Sequence, residues 1–180
     1  MEQRELLSRA LRKIFWAYIF LYFNINIGTI DILPAWIGYI FFYQAIRDGI
    51  EIEEKSAKLI RPIGMILIIY CLIDWCISIF GITMDILIVN ELFAVIALYF
   101  HFQLLTNLAD IADRYSYLEV NTLLTLRTIH TVLMTVLAFT VHFEDIYWVS
   151  ICIVIVQVIV MIWICAEIGK FKRFIDDIAS

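Results

Sequence analysis

Two acidic side chains lie inside long apolar stretches of the sequence, where a charged group is costly. Asp74 ends the run P-I-G-M-I-L-I-I-Y-C-L-I-D, and Glu91 lies within I-L-I-V-N-E-L-F-A-V-I. An ionisable residue inside a membrane span costs about 2.5–3.5 kcal/mol on the insertion scale, so it marks a functional site by default. Three neighbours would add amide and aromatic groups to such a site: Asn90, Tyr70 and Trp75. Two carboxylates in these surroundings suit a cation, an amine or a proton.

The two acids are expected at the same depth in the membrane. Asp74 lies about seven residues, and Glu91 about six, from the turn that joins their stretches, which at ~1.5 Å per residue places both roughly 10 Å below the surface. Because the two stretches form one hairpin, the sequence predicts that both carboxylates line one binding site. Asn24 and Asn26, near the outer end of the first stretch, are expected to face the same cavity. The alternative is that each acid is protonated or hydrogen-bonded to a neighbouring helix and only stabilises the packing.

A second polar group falls in the inner half of the later stretches. It consists of His101, Arg127, His130 and Gln157. Arg127 and His130 are one helical turn apart, so they share a helix face. These residues would serve a secondary binding site or an intramembrane enzyme of an unrecognised kind. The alternative is that Arg127 extends to the membrane interface and that the histidines are hydrogen-bonded packing residues.

The elements that position these residues are apolar segments of membrane-spanning length. The chain has 180 residues, of which 63% are hydrophobic and 17% charged, and its mean hydropathy is +0.91. A soluble domain is about half apolar and one-quarter charged, whereas a membrane helix needs ~20 mostly apolar residues. Six apolar stretches occur, at about 14–27, 32–46, 62–80, 86–105, 123–141 and 146–165. The sequence therefore predicts a single all-α domain, a polytopic bundle of six transmembrane helices.

The distribution of basic residues predicts the orientation of this bundle. All 13 lysines and arginines lie before the first stretch, between the second and third, between or near the facing ends of the fourth and fifth, or after the sixth. The other three connections contain none. Under the positive-inside rule, both termini are cytoplasmic and the chain is a multi-pass protein of the cell membrane. No small-x-small cleavage site follows the first stretch, so we expect a retained helix rather than a signal peptide.

The three outer turns are short and acidic, and each contains an aspartate: Asp31, Asp85 and Asp145. Hairpin units at about 14–50, 62–107 and 121–168 would alternate with amphipathic cytoplasmic segments at about 1–13, 51–61, 108–120 and 169–180. This arrangement predicts a threefold pseudo-repeat of helical hairpins, related by rotation about the membrane normal. The alternative is recurring turn chemistry, in which each aspartate caps the helix that follows it.

No motif in the sequence indicates an enzyme, a metal site or a cofactor. The patterns H-E-x-x-H, G-x-S-x-G, the P-loop and the G-x-G-D of intramembrane aspartyl proteases are all missing. The cysteines form no C-x-x-C pair and lie in apolar runs, so we expect buried, inert thiols at Cys71, Cys76, Cys152 and Cys165. We therefore expect a protein that is not an enzyme, whose main partner is the lipid bilayer and which has no nucleic-acid partner.

The stretch from Asn24 to Arg47, with D-I-L-P-A-W-I-G-Y at its centre, resembles a turn-plus-helix signature of uncharacterised small polytopic membrane proteins of Gram-positive bacteria. The resemblance covers about 24 residues and implies a bacterial inner-membrane protein without implying an activity. In size and number of stretches the chain is also similar to the substrate-capture subunits of energy-coupling-factor transporters, although its first stretch lacks their A-x-x-x-A docking pattern.

Two functions are consistent with these residues. The first is binding or transport of a small cationic or polar solute from the outer side, with the solute held near Asp74 and Glu91. The second is a non-transporting partner subunit for assembly, sensing or anchoring, in which the cytoplasmic segments contact another membrane protein or a second copy of this chain. A polar cavity open to the outer side would favour the first function, and a dry core with an exposed apolar face would favour the second.

Overall fold

The structure is a computed structural model of the chain, and it describes residues 2–22, 26–27, 30–31, 34–81, 87–140 and 147–179. Two-residue strands, β1 (Asn26–Ile27) and β2 (Ile30–Asp31), pair antiparallel in the turn after the first helix. A π-helical segment, Ile46–Ile50, joins α2 to α3. Apart from this ribbon the all-α prediction is confirmed, with helices α1 (Glu2–Tyr22), α2 (Ala35–Ala45), α3 (Glu51–Glu53), α4 (Ala57–Ile79), α5 (Leu87–Arg114), α6 (Val120–Thr140) and α7 (Tyr147–Ala179).

Four of the described helices contain segments long and apolar enough to cross a membrane: Ala57–Ile79, Ile88–Arg114, Val120–Ala138 and Trp148–Ile178. Exposed isoleucine, leucine and valine side chains run along them, as expected of surfaces that contact lipid. In length and composition these helices are compatible with a multi-pass membrane protein. α1 differs because six of its residues between positions 2 and 13 are charged, and α2 differs because it has only 11 residues before the π-helical segment.

The helices form a closed ring in which each packs antiparallel against the next. α1 contacts α2, α2 contacts α4, the series continues through α5, α6 and α7, and α7 returns to α1. The antiparallel direction shows in the hydrogen bonds of neighbouring helices. Between α4 and α5, for example, Tyr70 bonds to Asn90 near one end, and Ser56, just before α4, bonds to Asn107 near the other. The ring brings one face of every long helix towards a common centre.

The hydrophobic core fills the inner half of the ring, which contains the start of α1 and the end of α7. α1 contributes Leu7, Leu11 and Ile14, all completely buried at the three- to four-residue spacing of one helix face. α7 buries Phe171 and Ile175 in the same core. The amphipathic segments predicted at the chain ends are therefore extensions of α1 and α7, and their apolar faces pack into the bundle.

A close approach between α1 and the π-helical segment depends on Gly49. A Cβ atom on this residue would lie 2.5 Å from the Ala10 Cβ and 2.9 Å from the Leu6 carbonyl oxygen. Both neighbours are held by the α1 backbone, so neither can move aside without shifting the helix. The π-helical geometry inserts an extra residue into a helical turn, and here its ends, Ile46 and Ile50, are both fully buried.

Replacing Gly49 with alanine is expected to lower the free energy of unfolding by about 1–3 kcal/mol, because the added methyl overpacks the contact with α1. The matched control is Gly169→Ala in α7, where an added Cβ meets nothing within 4 Å. There the higher helix propensity of alanine should raise stability by up to ~1 kcal/mol. Circular dichroism during SDS-induced unfolding of detergent-solubilised protein measures both variants. Effects of the same sign and size would contradict a tight α1 contact at Gly49.

One prediction about the outer turns is wrong, and two others lie outside the described residues. Asp31 does not cap α2, because it lies in β2 and the N-cap position is occupied by Pro34. Proline suits this position because it has no backbone N–H that needs a partner. Asp85 and Asp145 lie outside the described residues.

The cysteines also differ from the expectation of uniform burial. Cys165 is buried, Cys71 is partly buried, and Cys76 and Cys152 are exposed on the ring surface. The exposed pair lies in the outer parts of α4 and α7, on surfaces rich in exposed aliphatic side chains. The apolar residues around each cysteine predicted only that its side chain avoids water. Burial within the protein also requires that a neighbouring helix packs over the side chain.

Candidate functional site

Two of the predicted polar residues meet between α6 and α7. The Gln157 Nε2 amide lies 2.5 Å from Nδ1 of His130, and both side chains are buried. Because an amide N–H only donates, His130 accepts at Nδ1, and a neutral imidazole then carries its proton on Nε2. Gln157 also interacts with the Tyr22 hydroxyl of α1. The pair therefore connects three helices of the ring.

His101 of α5 lies at the centre of the same group and is 2% exposed. Its ring centroid is 5.7 Å from that of His130 and 5.5 Å from that of Tyr18. Phe42 and Phe100 enclose it further, with ring centroids 5.5 and 5.3 Å away. The structure thus brings together residues from α1, α5, α6 and α7, which we name the central polar layer: Tyr18, Tyr22, His101, His130 and Gln157.

Five polar atoms of the central polar layer have no hydrogen-bond partner among the described residues. They are the Tyr18 hydroxyl, Nδ1 and Nε2 of His101, Nε2 of His130 and Oε1 of Gln157. A buried polar atom left unpaired costs about 1–3 kcal/mol, and native proteins contain few of them. This concentration makes the layer the candidate functional site. No group of three or more His, Cys, Asp or Glu side chains that could hold a metal occurs in the described part of the chain.

The central polar layer marks the outer limit of close packing in α4 to α7. On the inner side, α5 and α7 bury Leu104, Leu108, Met161 and Ile164. On the outer side no side chain is buried within the described ranges 68–81, 88–99, 131–138 and 148–156. A helix in a closely packed bundle buries one face along its whole length. The outer halves of these four helices therefore pack loosely.

Arg127, predicted together with the histidines, does not join the layer. Its Nη1 donates to the Thr106 hydroxyl at 3.1 Å, and its guanidinium carbon lies 4.6 Å from the ring centroid of Phe102. It ties α6 to α5 on the inner side of the layer. Sequence reasoning missed Tyr18 and Tyr22, although their spacing of four residues places them on one face of α1. That shared face was the signal available in the sequence.

The predicted acidic site lies further out, between α4 and α5. Tyr70 donates to the Asn90 side-chain oxygen at 2.9 Å and stacks on Phe93, with ring centroids 3.6 Å apart. From this pair Asp74 lies four residues towards the outer end of α4 and Glu91 one residue towards the inner end of α5, so at ~1.5 Å per residue the two acids are about 7.5 Å apart along the helix axes. Asp74 is exposed and Glu91 is partly buried. Their use of one common site stays a prediction.

Two other predicted members of the acidic site have different surroundings. Trp75 packs edge-on against Trp36 of α2, with ring centroids 6.0 Å apart, so it contributes to the contact between α2 and α4. Asn24 lies outside the described residues. Asn26 pairs with Asp31 through the β1–β2 ribbon, and its side chain lies outside the described part of the chain.

Comparison of the chain with protein-family models, with curated proteins and with solved structures gave no match. No relative therefore assigns a fold family or an activity to the protein. The resemblances noted in the sequence stay predictions.

Ion pairs at the inner end of the ring contrast with the central polar layer, whose five residues include no Asp, Glu, Lys or Arg. Asp48, in the π-helical segment, bonds to Arg47 at 2.6 Å and to Lys13 of α1 at 2.8 Å. The hydrogen bond from Arg47, supported by Lys13, holds the pKa of Asp48 below its usual value. Asp48 therefore stays ionised well below neutral pH and fastens the π-helical segment to α1.

Proposed function

We propose that the protein binds a small, uncharged polar solute that reaches the central polar layer from the outer side of the membrane. The observation that carries this proposal is the set of five unpartnered polar atoms in the layer. A solute with complementary groups offsets a burial cost of about 1–3 kcal/mol for each atom that it satisfies. The same atoms have no role in holding helices together, because they bond to none of the described residues.

The chemistry of the layer supports an uncharged ligand with both donors and acceptors. A neutral His101 ring supplies one donor and one acceptor, Gln157 supplies a carbonyl oxygen, and Tyr18 supplies a hydroxyl. The ring faces of Tyr18 and Tyr22 add flat surfaces for stacking. The layer has no carboxylate and no fixed cation, whereas a charged ligand at this depth would need a counter-charge. A flat heterocyclic compound fits these requirements.

Entry from the outer side is supported by the packing of the helices. The inner half of the ring is closed by the core, while the described outer parts of α4 to α7 bury no side chain. In this proposal α1 and α2 also cross the membrane, because each occupies a place in the ring, giving six spans in the cell membrane with both termini cytoplasmic. The hairpins α1–α2, α4–α5 and α6–α7 then form the threefold pseudo-repeat, which their superposition tests.

Native mass spectrometry of protein gently extracted from membranes tests the proposal. The wild type should carry a small molecule, and the double variant His130→Leu with Gln157→Leu should lose it. This double variant removes both partners of one hydrogen bond together with two unpaired buried atoms, and this gain offsets the loss of the Gln157 contact by Tyr22, so it should fold normally. The comparison variant, Asp74→Asn with Glu91→Gln, removes the two acids of the outer site and should retain the molecule.

The opposite pattern would favour a different site. If the bound molecule is lost from the Asp74→Asn/Glu91→Gln variant and kept by the His130→Leu/Gln157→Leu variant, the solute is a cation held by the acids. If the wild type carries no small molecule in any preparation, the solute-binding function is wrong. Far-ultraviolet circular dichroism of each variant confirms that its helices have formed.

A further inference from the structure

Two grooves follow each other along the surface of α4. The inner groove has a volume of about 580 Å³ and is lined by residues that include Tyr43, Glu51, Lys58, Arg61 and Ile66. The outer groove has a volume of about 330 Å³ and is lined by Ile66, Ile69, Tyr70, Ile73, Val89 and Phe93. Ile66 borders both grooves, so they adjoin along α4.

The α4 residues of the two grooves form a single stripe. Their positions, 58, 61, 62, 65, 66, 69, 70 and 73, recur every three or four residues, which places them on one helix face. At ~1.5 Å per residue the stripe extends roughly 22 Å. One leaflet of the hydrocarbon layer is about half of ~30 Å thick, so the stripe is long enough to accommodate an acyl chain together with its headgroup.

The stripe is cationic at its inner end and apolar beyond it. Lys58 is 65% exposed, and its ammonium lies 4.0 Å from the nearest Glu51 oxygen, beyond hydrogen-bond distance. Arg61 bonds to Glu51 at 3.4 Å and to the Tyr43 hydroxyl at 3.3 Å, which uses two of its five N–H donors. Two cations therefore face one carboxylate, and the groove retains a net positive charge. Past Arg61 the α4 lining is proline, methionine, isoleucine and tyrosine.

We propose that this stripe binds one anionic phospholipid from the leaflet at the inner end of the bundle. Its phosphate would bond to Lys58 and Arg61, and one acyl chain would lie in the apolar part of the stripe. Clusters of lysine and arginine beside membrane helices attract anionic headgroups, and arginine recognises phosphate through several N–H groups at once. The charge at one end and the apolar groove at the other match the two parts of a phospholipid. This site is independent of the proposed solute site.

The experiment uses purified full-length protein incubated with an equal mixture of phosphatidylglycerol and phosphatidylcholine that carry the same acyl chains. Native mass spectrometry should show preferential retention of one phosphatidylglycerol. Replacing both cations, Lys58→Gln with Arg61→Gln, should lower this preference about tenfold. The matched control, Arg12→Gln with Arg173→Gln, removes two exposed cations on α1 and α7 rather than on α4 and should keep the preference.

A second pair of variants tests the apolar part of the stripe with all charges intact. Ile66→Trp should reduce lipid retention by filling the junction of the two grooves, whereas Ile162→Trp, at another exposed site on α7, should not. Excess inorganic phosphate should fail to displace the lipid, because it lacks an acyl chain. Equal retention of the two lipids by the wild type, equal losses in the test and control variants, or displacement by phosphate would each overturn the proposal.

Discussion

Replacing His101 with phenylalanine is expected to raise the free energy of unfolding by about 1–3 kcal/mol and to abolish retention of the solute. The gain in stability follows because both ring nitrogens of His101 are buried without a partner in the described structure, and phenylalanine removes that cost. The ring contacts with Tyr18, Phe42 and Phe100 are preserved by another aromatic side chain. Binding is lost because phenylalanine can neither donate nor accept a hydrogen bond.

The matched variant Gln157→Leu should change stability in the opposite direction. It removes the partner of His130 Nδ1 and the contact with the Tyr22 hydroxyl, and it also removes the unpaired Oε1 of Gln157. Two groups lose a partner while one unpaired atom is removed, so the net cost should be about 1–3 kcal/mol. SDS-induced unfolding in mixed micelles, followed by circular dichroism, gives both values. A loss of stability in His101→Phe would mean that the imidazole is a packing residue with satisfied hydrogen bonds. The unpaired atoms would then no longer support a binding site in the central polar layer.

The all-helical membrane bundle could be predicted because its signal is local. Each apolar run contains enough residues to become a helix by itself, and the basic residues between runs mark where pairs of helices end. Helix ends were less predictable, because charged residues at positions 2–13 suggested a separate surface segment. In the structure Leu7, Leu11 and Ile14 bury one face of a single helix that runs through this region. Packing of this face against the other helices explains why α1 begins at Glu2.

The site could be predicted only in part, because its members come from different helices. Sequence spacing placed His101, His130 and Gln157 in the inner half, but the meeting of all three depends on how α5, α6 and α7 rotate when the ring closes. Tyr18 and Tyr22 gave little signal because the chain has nine tyrosines, most of which suit a membrane interface. Asp74 and Glu91 were selected because a charged residue in an apolar stretch can be recognised from the sequence alone. A polar atom without a hydrogen-bond partner can be recognised only once the packing of the helices is known.

Glu167, at the inner end of the ring, is a second polar residue whose contacts could not be predicted from the sequence. The largest loss of stability that we expect follows from removing its hydrogen bond. Its side chain is completely buried, and it accepts hydrogen bonds from the Tyr117 hydroxyl at 2.7 Å and from Lys170 at 3.0 Å. Tyr117 reaches it because the chain turns back just after α5, at Ser116, whose φ is 58°. Burial, together with the hydrogen bond to Glu167, raises the pKa of Tyr117, so the phenol keeps its proton as a donor.

Tyr117→Phe is expected to lower the free energy of unfolding by about 1.5–3 kcal/mol, because a buried carboxylate loses a charge-assisted hydrogen bond. The control Tyr115→Phe removes a hydroxyl that donates at 3.0 Å to Glu53, but both side chains there are partly exposed, so water can replace the bond and the loss should be smaller.

Adding Glu167→Leu to Tyr117→Phe should restore much of the stability. The remaining Lys170 is half exposed and keeps its hydration when the carboxylate is removed. SDS unfolding of the four proteins tests this order, and equal losses in the two tyrosine variants would show that Glu167 is hydrated.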